Sequence, residues 1–290
     1  MSNAVVRLWV VVALFGLTAR SDADETAQPA VRVTRDIVYE TRPLGGELKL
    51  DLSVPNVKDK PKPPLVVFIH GGGWTHGDKS EGGNVAHLAE SGFAVASIQY
   101  RFSQTALFPA QIEDCRAAVR FLKSHADEYG YDASCYGVIG ASAGGHLAAL
   151  LGVSKDADLR PAAAISLFCP TNLPRHVEQT QQPGRQPSQS VQKLIGGDPL
   201  TDDAARERAL AASPVTHVHG DAAPFLLVHG TADPLVHPDQ TSRFADALRE
   251  AGAACEIEWV ADAPHAGPMF WTPQLKQRYA AFLRTHLTAE

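Results

Sequence analysis

Five consecutive apolar residues, Leu65-Val66-Val67-Phe68-Ile69, restrict the possible architectures of this chain more than any other stretch. A run without polar alternation reads as a strand hidden on both faces, and such strands belong to parallel sheets covered by helices on either side. Further strands are expected at 94–100, 135–139, 162–168, 225–229 and 256–260. Helical spacing separates them. In 111–129, Ile112, Cys115, Ala118, Val119 and Leu122 fall on one face, and further helices are expected at 143–151, 239–251 (ended by Gly252) and 274–286. Strand alternating with helix predicts an α/β fold with a mainly parallel central sheet. Two earlier strands, 31–40 and 48–54, flank the short turn Leu44-Gly45-Gly46-Glu47, and this hairpin can add an antiparallel pair at one edge. A charged, proline-rich connector at 58–64 follows it. No repeat or linker divides the chain, so residues 31–290 read as one domain.

Two segments depart from this rhythm. At the N-terminus, Arg7 precedes an apolar run at 8–17 and then small residues, which is the pattern of a secretory signal peptide. The run is about half the roughly twenty residues that span a bilayer, so no stable membrane insertion is expected after processing. Cleavage after Ala19 or Ala23 fits equally, giving a signal peptide over 1–23, a polar leader over 24–30, and an exported protein, periplasmic or extracellular; an N-terminal membrane anchor that is never removed is the alternative. The second segment is 171–220, a small insertion between two sheet strands. Its Gln- and Pro-rich part, 176–190, reads as a mobile surface loop, with short helices following at 191–195 and 204–211. In α/β enzymes the loops leaving the carboxyl ends of strands line the site, so this insertion is a candidate cover for a pocket.

Composition excludes some functions. A net charge of −6 without a basic stripe argues against nucleic acid as a partner. The four cysteines, Cys115, Cys135, Cys169 and Cys255, have no C-x-x-C pairing, so buried thiols are expected instead of a zinc ribbon. Among the 12 histidines, His217 and His219 alternate but have no third ligand nearby, so no metal site is expected.

Three motifs carry chemistry. Gly140-Ala141-Ser142-Ala143-Gly144 matches G-x-S-x-G between an expected strand and an expected helix. The turn there is so tight that the serine is strained and its neighbours must be small, which leaves the hydroxyl exposed at a helix start. His70-Gly71-Gly72-Gly73-Trp74 follows the first buried strand directly. Its glycines free backbone N–H groups to face a developing oxyanion, and Gly72, Gly73 and Ala143 are the expected donors. His70 is expected to shape this loop, and Trp74 either to contact substrate or to pack. Asp233 and His265 each follow an expected strand at the same sheet edge, in the chain order Ser, Asp, His. Ser142 is thus the expected nucleophile, His265 its base and Asp233 the acid that orients the base. Asp239 is set aside as a helix cap, and Asp262 as too close to His265 along the chain.

With these motifs assembled, the chain resembles α/β-hydrolase esterases related to hormone-sensitive lipase and carboxylesterases, and more closely the bacterial acetylxylan/feruloyl esterase-like group of the BD-FAE type. The similar stretches are 65–79, 100–122, 137–151, 212–219 and 225–236. The resemblance implies an α/β-hydrolase fold and hydrolysis of a small ester or of acetyl or feruloyl esters on polysaccharide, with no cofactor. That group usually has glycine after the base, where this chain has Pro264-His265-Ala266-Gly267. Two other functions are compatible with the motifs: an exopeptidase or amidase of the same fold, and a catalytically silent binding module.

Overall fold

The protein is described by a computed structural model covering residues 30–56, 61–183 and 189–287. The expected signal peptide, the leader up to residue 29, part of the connector and residues 184–188 lie outside the described residues. Among the described residues no helix is long and apolar enough to cross a membrane.

The first elements are the hairpin strands β1 (Val31–Arg42) and β2 (Gly46–Pro55), followed by the apolar run in β3 (Pro64–Ile69). Next come α1 (Ala86–Glu90), β4 (Ala94–Ile98), α2 (Ala110–Ser124), α3 (Ala126–Tyr129), β5 (Asp132–Ala141) and α4 (Ala143–Gly152). After β6 (Ala163–Leu167) the insertion contributes α5 (Leu173–Thr180), α6 (Ser190–Ile195) and α7 (Asp203–Ala211). The chain closes with β7 (Phe225–Gly230), α8 (Asp239–Glu250), β8 (Cys255–Val260) and α9 (Pro273–Leu287). The strands form one eight-stranded sheet in the order β1-β2-β4-β3-β5-β6-β7-β8. The pairs β1–β2 and β2–β4 are antiparallel and every other pair is parallel. This is the mainly parallel sheet with an antiparallel hairpin edge that the strand–helix alternation predicts, and it fits the α/β-hydrolase fold that the resemblance implies.

The unbroken apolar run has the expected physical cause. Leu65, Val67 and Ile69 point into a core shared with α2, α4 and α8, while Val66 and Phe68 point into a second core against α1 and α9. Both sets are at most 1% exposed, so no position from Leu65 to Ile69 tolerates a polar side chain.

The structure corrects three expectations. The single helix expected over 111–129 breaks at His125, whose backbone (φ −111°, ψ 14°) is not helical, and Gly130 in the left-handed region closes the short α3. Of the loop expected over 176–190, residues 176–180 are instead the second half of α5. Asn172 caps this helix by accepting the Arg175 N–H at 3.1 Å, and Leu173, His176, Val177 and Thr180 recur at helical spacing on its buried face. Asp239 does not cap α8: its carboxylate pairs with Arg175 at 2.7 Å and Arg243 at 2.9 Å. Together with Gln240, which accepts the N–H groups of Thr171 and Asn172 and donates to Gln179, it fastens the insertion to α8. A short 3₁₀ segment, Lys79–Val85, was not anticipated, although Asp78 and Glu81 form a capping box at its start.

Candidate active site

The turn between β5 and α4 holds Ser142 at φ 53°, ψ −117°, a backbone state that side-chain-bearing residues rarely adopt. Its small neighbours are a steric requirement. A Cβ on Gly144 would lie 2.1 Å from the Ile69 carbonyl oxygen, and one on Gly140 would lie 2.2 Å from the Gly144 carbonyl oxygen. The backbone of β3, the elbow and α4 therefore interlock, and Ser142 sits at the N-terminal end of α4, where the helix dipole favours negative charge.

His265, delivered by the loop after β8, places Nε2 3.0 Å from Ser142 Oγ. Its Nδ1–H donates to Asp233 Oδ2 at 2.7 Å. Asp233, from the loop after β7, is 2% exposed, and its Oδ1 accepts the N–H groups of Leu235 (2.8 Å) and Val236 (2.9 Å). Burial alone would raise the pKa of this carboxyl, but the hydrogen bonds from His229 and His265 outweigh it and hold the group well below the usual carboxylate range. Asp262 is exposed and its N–H is engaged by Thr231 Oγ1, so of the three candidate acids only Asp233 meets the imidazole.

Sequence reasoning missed His229. This residue is fully buried, and its Nε2 lies 3.1 Å from both Asp233 Oδ2 and the Val236 carbonyl oxygen. Facing two acceptors, Nε2 carries the hydrogen, and Nδ1 accepts from the Thr241 hydroxyl at 2.7 Å. Asp233 Oδ2 thus sits between two imidazole N–H donors, one fixed in the core and one belonging to His265.

The glycine loop supplies the opposite wall. Gly72 (φ 98°) and Gly73 (φ 57°) are left-handed, and a Cβ on Gly72 would lie 2.0 Å from the His76 carbonyl oxygen. Among the described residues the N–H groups of Gly72, Gly73 and Ala143 have no protein acceptor, and all three residues line one cavity with Ser142. His70 stacks on Tyr100 at 4.5 Å, and the Tyr100 hydroxyl donates to the carbonyls of His70 and Gly71, which braces the loop from behind.

Trp74 borders the same cavity but is 2% exposed. Its indole N–H donates to His146 Nδ1 at 3.3 Å, and His146 Nε2–H donates in turn to the Ala212 carbonyl at 2.7 Å. The indole is thus packed and hydrogen-bonded, while Trp74 still borders the cavity that holds Ser142. Burial lowers the pKa of His146 to about 4, so the ring stays neutral with one donor and one acceptor nitrogen.

The cavity measures about 780 Å³, within the size range of small-molecule sites. Phe168, Leu235, Val236, Pro268 and Trp271 give it apolar walls, and Glu81, Asn84 and His176 add polar ones. Among the described residues no group of His, Cys, Asp or Glu is placed to hold a metal ion. The Nε2 of His217 bonds to the Ala211 carbonyl instead. All four cysteines carry free thiols, with Cys115 and Cys169 buried.

Directly after the base, Ala266 stands at φ 65°, a position where the resemblance leads one to expect glycine. An L-residue in that region is strained by about 1–2 kcal/mol. Ala266→Gly should therefore leave the protein as stable as before or more stable by up to about 1 kcal/mol, the relief being partly offset by the unfolded-state entropy of glycine. Urea unfolding of the two proteins checks this, and a loss of more than about 1 kcal/mol would contradict the strain argument.

Fold and site together define the class, an α/β-hydrolase with a Ser–His–Asp line at the carboxyl edge of its sheet. Within that class the chain belongs to the BD-FAE family, whose model matches residues 50–248. It is 34% identical over 199 residues to the probable carboxylic ester hydrolase LipM of Mycobacterium tuberculosis, covering 64% of this chain and 45% of LipM. It is 29% identical over 266 residues to the esterase LipQ of the same organism, covering 89% of this chain and 60% of LipQ. The chain thus spans roughly half the length of these curated relatives. Among solved structures, a truncated carbohydrate esterase from gut microbiota superposes with a TM-score of 0.78 at 27% identity, over 90% of this chain and 98% of that one.

Proposed function

We propose that this protein is a serine hydrolase of carboxylic esters, acting through Ser142, His265 and Asp233 with the N–H groups of Gly72, Gly73 and Ala143 as oxyanion donors. The observation that carries this reading is the unbroken line from Ser142 Oγ through the imidazole to a buried, ionised carboxylate, facing a loop of unengaged N–H groups. Ser142 Oγ attacks the ester carbonyl while His265 Nε2 takes its proton. The carbonyl oxygen becomes an oxyanion held by the loop. The imidazolium then protonates the alcohol oxygen, the C–O bond breaks, and the alcohol leaves behind an acyl-Ser142. Water, deprotonated by the same imidazole, repeats the sequence and releases the acid.

The substrates proposed are acetyl or feruloyl esters of polysaccharide. In support of this, a structural neighbour is named a carbohydrate esterase, and the cavity combines apolar walls with polar groups. Export follows as part of the same proposal, resting on the Arg7-led apolar run and the small residues after it.

The test is turnover of p-nitrophenyl acetate, methyl ferulate, acetylated xylan and a proline p-nitroanilide, before and after labelling with a serine-directed phosphonate. Ester turnover that stops as one phosphonyl group attaches to Ser142 supports the proposal. Cleavage of the anilide alone would favour an exopeptidase. An unlabelled, inert protein would favour a binding module.

A further inference from the structure

The line from Ser142 through His265 to Asp233 does not end at the carboxylate. Asp233 Oδ2 also meets His229 Nε2 at 3.1 Å, and His229 Nδ1 meets the Thr241 hydroxyl at 2.7 Å. Thr241 is buried in the first turn of α8 and directly follows Asp239 and Gln240, the two residues that fasten the insertion. His229 is fully buried in β7, and among the described residues it is not one of those that line the cavity. It does not touch substrate, so whatever it does for the reaction passes through Asp233.

The two imidazoles that share Oδ2 differ in how firmly they are held. His265 comes from the loop after β8, its side chain is 14% exposed, and it must exchange protons with Ser142 and the departing alcohol. His229 stands in a strand between β6 and β8 with both ring nitrogens engaged, its Nε2–H being shared with the Val236 carbonyl at 3.1 Å. A carboxylate turns about its Cβ–Cγ bond unless both oxygens are held. The N–H groups of Leu235 and Val236 hold Oδ1, and His229 gives Oδ2 a donor that stays in place while His265 changes protonation. Burial raises the pKa of this carboxyl, and the hydrogen bond from His229, ahead of that from His265, helps to reverse the effect. A carboxylate so held stays an ion beside the imidazolium that forms during the reaction.

From this geometry we infer that His229 is a positioning residue whose Nε2–H, fixed by Thr241 and the strand, holds Asp233 Oδ2 in line with His265 Nδ1 throughout turnover. The inference rests on the esterase reading above and adds the group that aims the acid. Hydrogen bonds to charged groups are worth more than neutral ones, and this one counts most in the transition state, where the new imidazolium depends on Asp233.

The experiment measures kcat and KM for p-nitrophenyl acetate in the wild type, His229→Leu, His229→Gln and Thr241→Val, and repeats His229→Leu in an Asp233→Asn background. The leucine variant should lose about 30-fold in kcat with KM within about two-fold of wild type. Glutamine, long enough to bring an amide N–H to the place of Nε2, should recover all but about five-fold of the rate. Thr241→Val, which keeps the volume but frees Nδ1, should lose about five-fold. In the Asp233→Asn background the leucine exchange should cost no further activity, because a residue that acts through the carboxylate has nothing left to act on. Equal losses in both backgrounds would mean general damage to the fold and overturn the inference while leaving the esterase intact, as would full activity of the leucine variant. Should the variants not fold, nitrogen NMR of histidine-labelled wild type decides. His229 must carry its hydrogen on Nε2 with a bare Nδ1, and the opposite tautomer overturns the inference. A wild type inert toward p-nitrophenyl acetate would remove the esterase reading, and this inference with it.

Discussion

Ser142→Ala lowers kcat for every ester the wild type hydrolyses by about 10⁵-fold, equivalent to about 7 kcal/mol of transition-state stabilisation. The substitution removes only Oγ. The Gly72, Gly73 and Ala143 donors, the cavity walls and the His265–Asp233 pair all remain. What survives is therefore the smaller acceleration that oxyanion donors and binding supply without a nucleophile. KM should change little, because the hydroxyl contributes to the reaction and hardly to ground-state binding. Alanine accepts the left-handed elbow no worse than serine does, so the melting temperature should stay within a few degrees of the wild type. A variant that folds normally and retains more than about a hundredth of the rate would remove Ser142 from the mechanism.

Asp233→Asn is expected to lower kcat by about 10⁴-fold with the protein still folded. The reason lies in the two imidazoles that share Oδ2. The amide oxygen of asparagine is held on the Oδ1 side, where the Leu235 and Val236 N–H groups need an acceptor. Its NH₂ group then points at the nitrogens of His229 and His265, donor against donor. His229 cannot give way, since its Nε2 hydrogen also serves the Val236 carbonyl and its Nδ1 is held by Thr241. His265 must adopt the tautomer with hydrogen on Nε2, which cannot accept the serine proton. The loss should be greatest near neutral pH and should ease at alkaline pH, where hydroxide replaces the missing base. Rates measured from pH 6 to 10 test this, and a variant within ten-fold of wild type at pH 7 would point to a different acid.

Much of this arrangement was legible from local sequence. The strand at Leu65–Ile69 declared itself because it is apolar at every position, and a strand flanked by two cores has no other way to be written. Ser142, Asp233 and His265 were legible because each follows a strand directly, so a parallel sheet brings all three to one edge. α5 was misread for a physical reason. Its Gln and Glu residues suggest a solvated loop, yet Leu173, His176, Val177 and Thr180 lie three and four apart, the signature of a buried helix face. There the period of the apolar positions, and not the composition, reports the structure. His229 was not legible at all. Nothing in a strand residue's identity says that its ring will bond to a carboxylate delivered by the following turn. The same holds for Asp239, whose partner Arg175 is distant in sequence and becomes a neighbour only once the insertion folds against α8.

The chain from Trp74 through His146 to Ala212 bears on how this protein can diversify. A cap inserted into an α/β scaffold is often treated as an exchangeable module, free to be replaced when a new substrate is wanted. Here one ring in the scaffold serves as the hinge pin for two parts at once: its Nδ1 holds the tryptophan next to the glycine donors, and its Nε2 holds the end of α7 in the insertion. Transplanting a foreign insertion without its matching residues at positions 74 and 146 would leave the indole N–H or the imidazole unpaired and let the donor loop drift. Recombination that respects function in this lineage should therefore move the glycine loop, the elbow helix and the insertion as one inherited block, even though they lie far apart along the chain.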